Sequence, residues 1–252
     1  MGHVNCVYYA HHCFIYIYVM AIFFCDNLNA NAIFLNEDES KHAVQVLRLT
    51  VGSSVEVIDG KGVFCNAVIK AAYPKKCELE ITKRFNDFHK RNYHLHIAIA
   101  PTKQMERFEW FLEKAVELGV DEITPLVCKN SVRSNMRQDR LEKIILAAVK
   151  QSKQAYLPIL HQAISIEQFL KTTFDANKVI AYCETGTETT LQSSVSKNQP
   201  VLVLIGPEGD FTPDEIKLAL EQKFVPVSLG ETRLRTETAG VYACSVLRVL
   251  NS

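Results

Sequence analysis

The sequence predicts an α/β protein in which a small unit of short strands precedes a larger unit built on a buried parallel sheet. Three observations carry this. Val201 to Ile205 is an unbroken run of five apolar residues, closed by Gly206 and followed by Thr212-Pro-Asp-Glu215. Val225 to Leu229 repeats the arrangement, closed by Gly230 and followed by helical spacing from Thr236 to Leu250. Val55 to Ile58, Val63 to Ile69 and Cys77 to Ile81 are shorter runs, alternating or apolar, divided by turn residues. Continuously apolar runs suit strands covered on both faces, as in a parallel sheet, and alternation suits a sheet with one wet face.

Along the chain, Cys13 to Cys25 is apolar throughout, thirteen residues that are too few to span a bilayer as a helix. Met1 to His12 carries no Lys or Arg, unlike a secretory signal. Met1 to Val19 reads as an upstream extension; the competing reading is a prolonged first strand. Asn36 with Glu39 forms a capping-box pattern for a helix through about Leu49. His42 and Arg48 lie on it, and a plain surface helix is the bland reading. Asp59-Gly-Lys-Gly62 makes a hairpin turn, so the three short runs form a meander consistent with a barrel. Lys83 to Asn92 is polar and links the two units.

Leu95 to Ala100 is the first strand of the second unit. Gln104 to Leu118 is an amphipathic helix with Met105, Phe108, Leu112, Ala115 and Val116 inward, Trp110 packed and Gly119 as its stop. From Lys129 to Lys153, seven basic residues face two acidic ones. That excess reads equally as a phosphate-facing stripe and as a solvated helix face. Val179 to Cys183 is another buried strand, with Glu184 at its carboxyl end. Proline at the first helical position strengthens the helix start at Pro213. In the last helix, Ala239, Tyr242, Ala243, Val246 and Leu250 share helical spacing.

Open α/β sheets bind ligands outside the carboxyl ends of their strands. Two glycine-bearing loops at such ends therefore predict one composite pocket. Gly206 and Gly209 permit a tight turn and close backbone approach. Glu208 and Asp210 in the same loop would repel a phosphate, so the ligand is expected to be neutral or cationic there. Arg233, Arg235 and Glu237 crowd the second loop, which is costly for a mere connection; solvated charge on a turn is the bland alternative.

Ile205-Gly-Pro-Glu-Gly-Asp-Phe-Thr212 and Leu229-Gly-Glu-Thr-Arg-Leu-Arg-Thr-Glu-Thr-Ala239 resemble the two signature segments of the RsmE-type ribosomal RNA methyltransferases, knotted enzymes of the SPOUT class. The resemblance extends to His42-Ala-Val-Gln-Val-Leu-Arg48, to Glu113-Lys-Ala-Val-Glu-Leu-Gly-Val120 and to Ile123-Thr-Pro-Leu126. In all it spans about Met20 to Leu250. It implies a PUA-like β-barrel that binds RNA over 20–86 and a trefoil-knotted methyltransferase domain over 93–252. It also implies a homodimer that methylates N3 of a uridine in small-subunit (16S) ribosomal RNA.

The methyl donor it implies is S-adenosylmethionine. Carried onto this chain, the donor site falls on Cys183 and Glu184, then on Ile205, Gly206, Pro207, Glu208 and Gly209. Its second half is Leu229, Gly230, Leu234, Arg235, Thr236 and Ala239. RNA contacts are expected from His42, Arg48, Lys103, Arg133, Arg137 and Lys150. The family usually carries a second glycine where this chain has Asp210. It often carries a glutamate and an arginine where this chain has Lys150 and Gln154.

Methyl transfer from a sulfonium is an in-line displacement, so alignment and exclusion of water carry most of the effect. A uridine N3 must also lose a proton. Arg235 is the candidate to stabilise charge developing on the uracil carbonyls, and Glu237 to take the proton or orient that arginine. A structural ion pair between the two is the equal alternative.

At 252 residues and 48% apolar content the chain can bury adequate cores. Its formal net charge of zero counts modestly against an RNA binder. The eight cysteines form no C-x-x-C pair, and Cys65, Cys77, Cys183 and Cys244 sit in apolar runs where cysteine packs as a small hydrophobe. A reducing cytoplasm, no membrane and no metal are expected; the adjacent His11, His12 and Cys13 are weak as ligands. Two other classes stay open. A non-catalytic RNA-binding module is opposed by the intact glycine loops, and a nucleotide-phosphate enzyme is opposed by the loop carboxylates. A methyltransferase acting on another RNA is the alternative within the class.

Overall fold

The computed structural model describes residues 20–30, 32–131, 136–172, 174–182 and 189–252. The expectation for Met1 to Val19 lies outside them. A five-stranded sheet comes first, in the order β1-β3-β4-β5-β2. Its strands are β1 (Ile22–Phe24), β2 (Ile33–Phe34), β3 (Ser54–Ile58), β4 (Phe64–Ala71) and β5 (Glu78–Phe85). β1 runs parallel to β3 and the other pairs are antiparallel. The sheet curls around Phe23, Val55, Val57, Cys65, Ile69 and Leu79, all buried. The short runs form the expected meander, β3-β4-β5, within a curled sheet.

Asn36 caps α1 (Glu37–Lys41) by accepting from the Glu39 amide at 2.8 Å. The helix widens into one π-type turn over His42–Val46 and stops, short of the expected Leu49. Arg48 explains the stop, because its backbone takes the left-handed conformation (φ 55°).

The larger sheet is parallel throughout, in the order β12-β10-β11-β6-β7-β8, with β9 also on β7. Its strands are β6 (Leu95–Ile99), β7 (Glu122–Val127), β8 (Ile159–Leu160), β9 (Ile164–Ser165), β10 (Asn177–Ala181), β11 (Val201–Ile205) and β12 (Val225–Val227). β11 is buried at every position, as its unbroken apolar run predicts. The helices are α2 (Met105–Leu118), α3 (Gln138–Gln151), α4 (Ile166–Phe169), α5 (Leu191–Ser194), α6 (Pro213–Glu221) and α7 (Thr236–Leu250). Among the described residues no helix is long and apolar enough to cross a membrane.

From the edge strand β12 the chain turns back, and α7 packs on α2, β6 and β11 in the middle of the sheet. The class is therefore the expected one, an α/β domain of the knotted type behind a small curled sheet. Two helix faces differ from expectation. Phe111 is fully buried on α2 while Trp110 is 44% exposed, not packed. On α7 the inward face is Ala239, Gly240, Ala243, Cys244 and Leu247, and Tyr242 is exposed. The reason is close approach: a Cβ on Gly240 would fall 2.5 Å from the Phe111 ring and 3.0 Å from Ile99. The helix turns its small residues toward α2 and leaves the bulky tyrosine outside.

The Asp59–Gly62 hairpin joins the two units. Gly62 N donates to Ala155 O and Leu157 N to Gly60 O, both at 2.9 Å. A Cβ on Gly62 would collide with the Tyr156 ring.

Candidate functional site

The site forms where four strand ends of the parallel sheet converge. Thr236 Oγ1 donates to Gly206 O at 3.1 Å in a buried bond, and Arg233 Nη2 donates to Glu208 O at 3.3 Å. These two bonds join the loop after β11 to the loop before α7, as the paired segments predict. The loop after β6 enters through Lys103 N, which donates to Glu208 Oε1 at 3.0 Å. The loop after β7 enters through Asn130 Nδ2, which donates to both Gly209 O and Asp210 O at 3.1 Å.

The local sequence explains the shape of the first loop. Gly206 lies so close to Phe211 that a Cβ would meet its ring at 3.1 Å and its amide at 3.3 Å. Asp210 N donates to Pro207 O at 2.9 Å, closing a tight turn. Asp210 holds the left-handed conformation (φ 63°), and its Oδ1 accepts from Phe211 N at 2.8 Å. Aspartate is among the residues that tolerate that conformation, which accounts physically for its standing where a glycine is usual. The capping box of α6 is complete: Thr212 accepts from Glu215 N, and Glu215 Oε2 accepts from Thr212 N at 2.7 Å. Glu215, 2% exposed, accepts with its other oxygen from Lys129 N at 2.8 Å, locking the β7 loop to α6.

Arg235 occupies the cap position of α7 in extended conformation with its side chain exposed. Glu237 lies in the first turn, 7% exposed. The two do not pair. Glu237 Oε1 faces Arg107 Nε of α2 at 3.9 Å, and its Oε2 is buried with no hydrogen-bond partner. A buried carboxylate oxygen left without a donor costs about 1–3 kcal/mol or more, so this position suits a donor arriving with a ligand. Gly230 sits at φ 122°, and a Cβ there would meet nothing within 4 Å. The space beside the second loop is thus open. Cys128, at the foot of the β7 loop, offers no thiolate, because burial and then the Glu215 charge push its thiol up to about 12.

Of the expected donor-site residues, Ile205 ends β11 and Gly206, Pro207, Glu208 and Gly209 form the loop after it, while Leu229, Gly230, Leu234, Arg235, Thr236 and Ala239 bracket the second loop. Cys183, Glu184 and Arg133 lie outside the described residues. Arg107 and Asn130 were not anticipated. Asn130 lies just past the carboxyl end of β7, whereas Arg107 stands in the first turn of α2.

The expected RNA contacts are spread over both units, and His42 and Lys150 both lie against Phe23. His42 and Arg48 are exposed on the first unit, with His42 edge-on to Phe23 at 6.2 Å. Lys103 is exposed beside Glu208. Along α3 the basic excess is largely matched: Arg137 meets Asp139 at 3.0 Å, and Arg140 grips Glu109 through two bonds. Lys150 meets the buried Glu39 at 2.7 Å and Lys153 meets Glu56 at 2.9 Å, both across the contact between units.

A family profile described as an RNA methyltransferase domain matches residues 89–248, and one described as an RNA methyltransferase PUA domain matches 35–82. The ribosomal RNA small subunit methyltransferase E of Rickettsia conorii is 29% identical over 225 residues, covering 86% of this chain and 90% of that protein. A crystal structure described as a probable rRNA-methyltransferase from Porphyromonas gingivalis superposes with a TM-score of 0.83 at 40% identity, covering 92% of this chain and 98% of that one. The ribosomal RNA small subunit methyltransferase E of Neisseria gonorrhoeae, solved bound to S-adenosylmethionine, gives a TM-score of 0.80 at 26% identity, with 92% and 98% covered.

Proposed function

The chain belongs to the RNA methyltransferase family, among the ribosomal RNA small subunit methyltransferase E proteins, and on that premise we propose that it moves a methyl group from S-adenosylmethionine to N3 of a uridine in small-subunit ribosomal RNA. The observation that supports this most is the clamped pair of loops with an unpartnered, buried Glu237 oxygen beside open space at Gly230. S-adenosylmethionine is cationic at sulfur and carries amine donors, which suits loops bearing Glu208 and Asp210 and an acceptor lacking a donor. It supplies an electrophilic methyl group; the chain's own residues do the rest.

Positioning comes first. The loop after β11 is fixed before any ligand arrives, by Thr236, Arg233, Asn130 and the Lys103 amide. A prefixed loop spares the ordering cost of binding. Arg235 projects from the loop where the uracil must enter, and its guanidinium stabilises charge on the carbonyl next to N3. Glu237 accepts the N3 proton, directly or through a water, and Arg107 acts as its positioning residue by holding the carboxylate from α2. The exposed Arg48 and Lys103 hold RNA backbone by charge, with His42 as a further contact. Because N3 lies on the pairing edge, the target uridine must be unpaired or flipped out.

The test is incubation of the full chain with small ribosomal subunits and methyl-labelled S-adenosylmethionine, followed by digestion to nucleosides. Label is expected in 3-methyluridine at one position. Label on another base or another uridine atom would overturn the target, and absence of cofactor binding by calorimetry would overturn the donor.

A further inference from the structure

A second polar cluster lies at the opposite edge of the parallel sheet, where β6 and β7 begin. His96, Glu122 and His161 each offer a ligand atom there, and these atoms all lie within 4.8 Å of one another. His161 Nε2 is 2.6 Å from Glu122 Oε2, and His96 Nδ1 is 3.9 Å from the same oxygen. The three residues come from separate segments that the sheet brings side by side, since His96 pairs in register with Glu122 and Glu122 with Ile159. We propose that His96, Glu122 and His161 form a binding site for one divalent transition metal ion of the zinc class.

Three features support a ligand set over a chance meeting of charges. The first is the outer shell. The other ring nitrogen of His96 is 2.8 Å from Thr124 Oγ1 in a buried contact. Metal-bound imidazoles are regularly held by such a partner on the second nitrogen, which sets tautomer and ring direction. The second oxygen of Glu122 is likewise engaged, by His94 Nε2 at 2.8 Å. The second feature is rigidity. The His96 ring is wedged among the rings of His161, Phe169 and Phe174 at 5.5–5.9 Å, and the His161 amide is anchored on Ile123 O at 2.9 Å. Third, there is an entry path: the His161 and His94 side chains are 40% and 47% exposed, which leaves room for a water as a fourth ligand.

The chemistry selects the ion. Two imidazoles and one carboxylate suit zinc, cobalt or nickel, whereas calcium and magnesium take oxygen ligands. The consequence is structural. β8 is a two-residue strand held by few bonds, and residues 155–157 just before it carry the backbone bonds to the first unit. An ion bridging β6, β7 and His161 would pin that segment and so the seat of the first unit. Sequence spacing does not reveal these ligands, because the three are spread over distant segments.

The test uses the full chain freed of metal by a chelator, with zinc and cobalt as probes. Zinc is expected to bind at one equivalent and, at about a hundredfold above Kd, to raise the thermal midpoint by about 5–10 °C. Cobalt should show a visible d–d spectrum at the same stoichiometry. His161→Gln, at an exposed position, should lose at least about a hundredfold in zinc affinity and all of the thermal shift. Thr124→Val, which removes only the outer-shell hydroxyl, should lose about 10–100-fold. His11→Gln/His12→Gln should keep full binding. No zinc binding to the wild type, unchanged binding in His161→Gln, or loss of binding in the His11/His12 variant would each overturn the proposal.

Discussion

Arg235 and Glu237 show how a short displacement along a chain changes a role. Two positions apart at the head of α7, they point into different surroundings: Arg235 is exposed, Glu237 is buried and turned to Arg107. The exposed cation is free to meet a substrate that arrives from solvent, and the buried anion is held by another helix. Arg235→Ala should therefore lower single-turnover methylation by about 10²–10³-fold, the usual range for losing one transition-state donor. RNA and S-adenosylmethionine affinities should stay within a few-fold of wild type. Equal losses in RNA affinity and turnover would instead make Arg235 a binding contact. That this loop carries chemistry was legible from three charges crowded beside a glycine. Glu237's partner was not, since Arg107 lies far away in the sequence and only α2 packing on α7 brings it near.

At the scale of elements, α6 is the clearest case of local sequence deciding structure. Thr212, Pro213 and Glu215 satisfy the first-turn amides within the turn itself, so the helix start needs no tertiary partner to be recognised. Glu215 adds a long-range duty by accepting from Lys129 N. Thr212→Ala should cost about 1 kcal/mol in denaturant unfolding. Glu215→Ala should cost more, about 2–4 kcal/mol, because it also removes the acceptor of the half-buried Lys129 amide, and it should weaken cofactor binding by loosening the loop that carries Asn130. Equal losses from both variants would mean the bond to Lys129 contributes nothing. The face of α7 was legible only in part. Period 3.6 marked its spacing, yet the fit of Gly240 against Phe111 chose which residues turned inward.

For the whole molecule, charge that looks like an RNA stripe in sequence becomes a seam between units. Lys150 and Lys153 reach across to Glu39 and Glu56, whose side chains are 9% exposed. Lys150→Ala should destabilise the chain by about 1–3 kcal/mol, because it strands a mostly buried carboxylate while Lys150 itself keeps some solvent. The salt dependence of RNA binding should scarcely change. A slope flattened by about 0.7–0.9 would show that Lys150 meets a phosphate after all. Arg48 and Lys103, exposed and with no ion pair of their side-chain charges among the described residues, are where that flattening is expected.

Sequence alone determined the α/β class, the order of most strands, the helix starts and the two loops that meet at the site. These depend on apolar periodicity, capping chemistry and glycine turns, all set within a few residues along the chain. Only the tertiary structure decided which charges are paired, which face of α7 is inward, that the Asp59–Gly62 hairpin seats one unit on the other, and that His96, Glu122 and His161 meet. Each of these is a contact between segments distant in sequence, and its energy depends on the separation and burial that packing imposes.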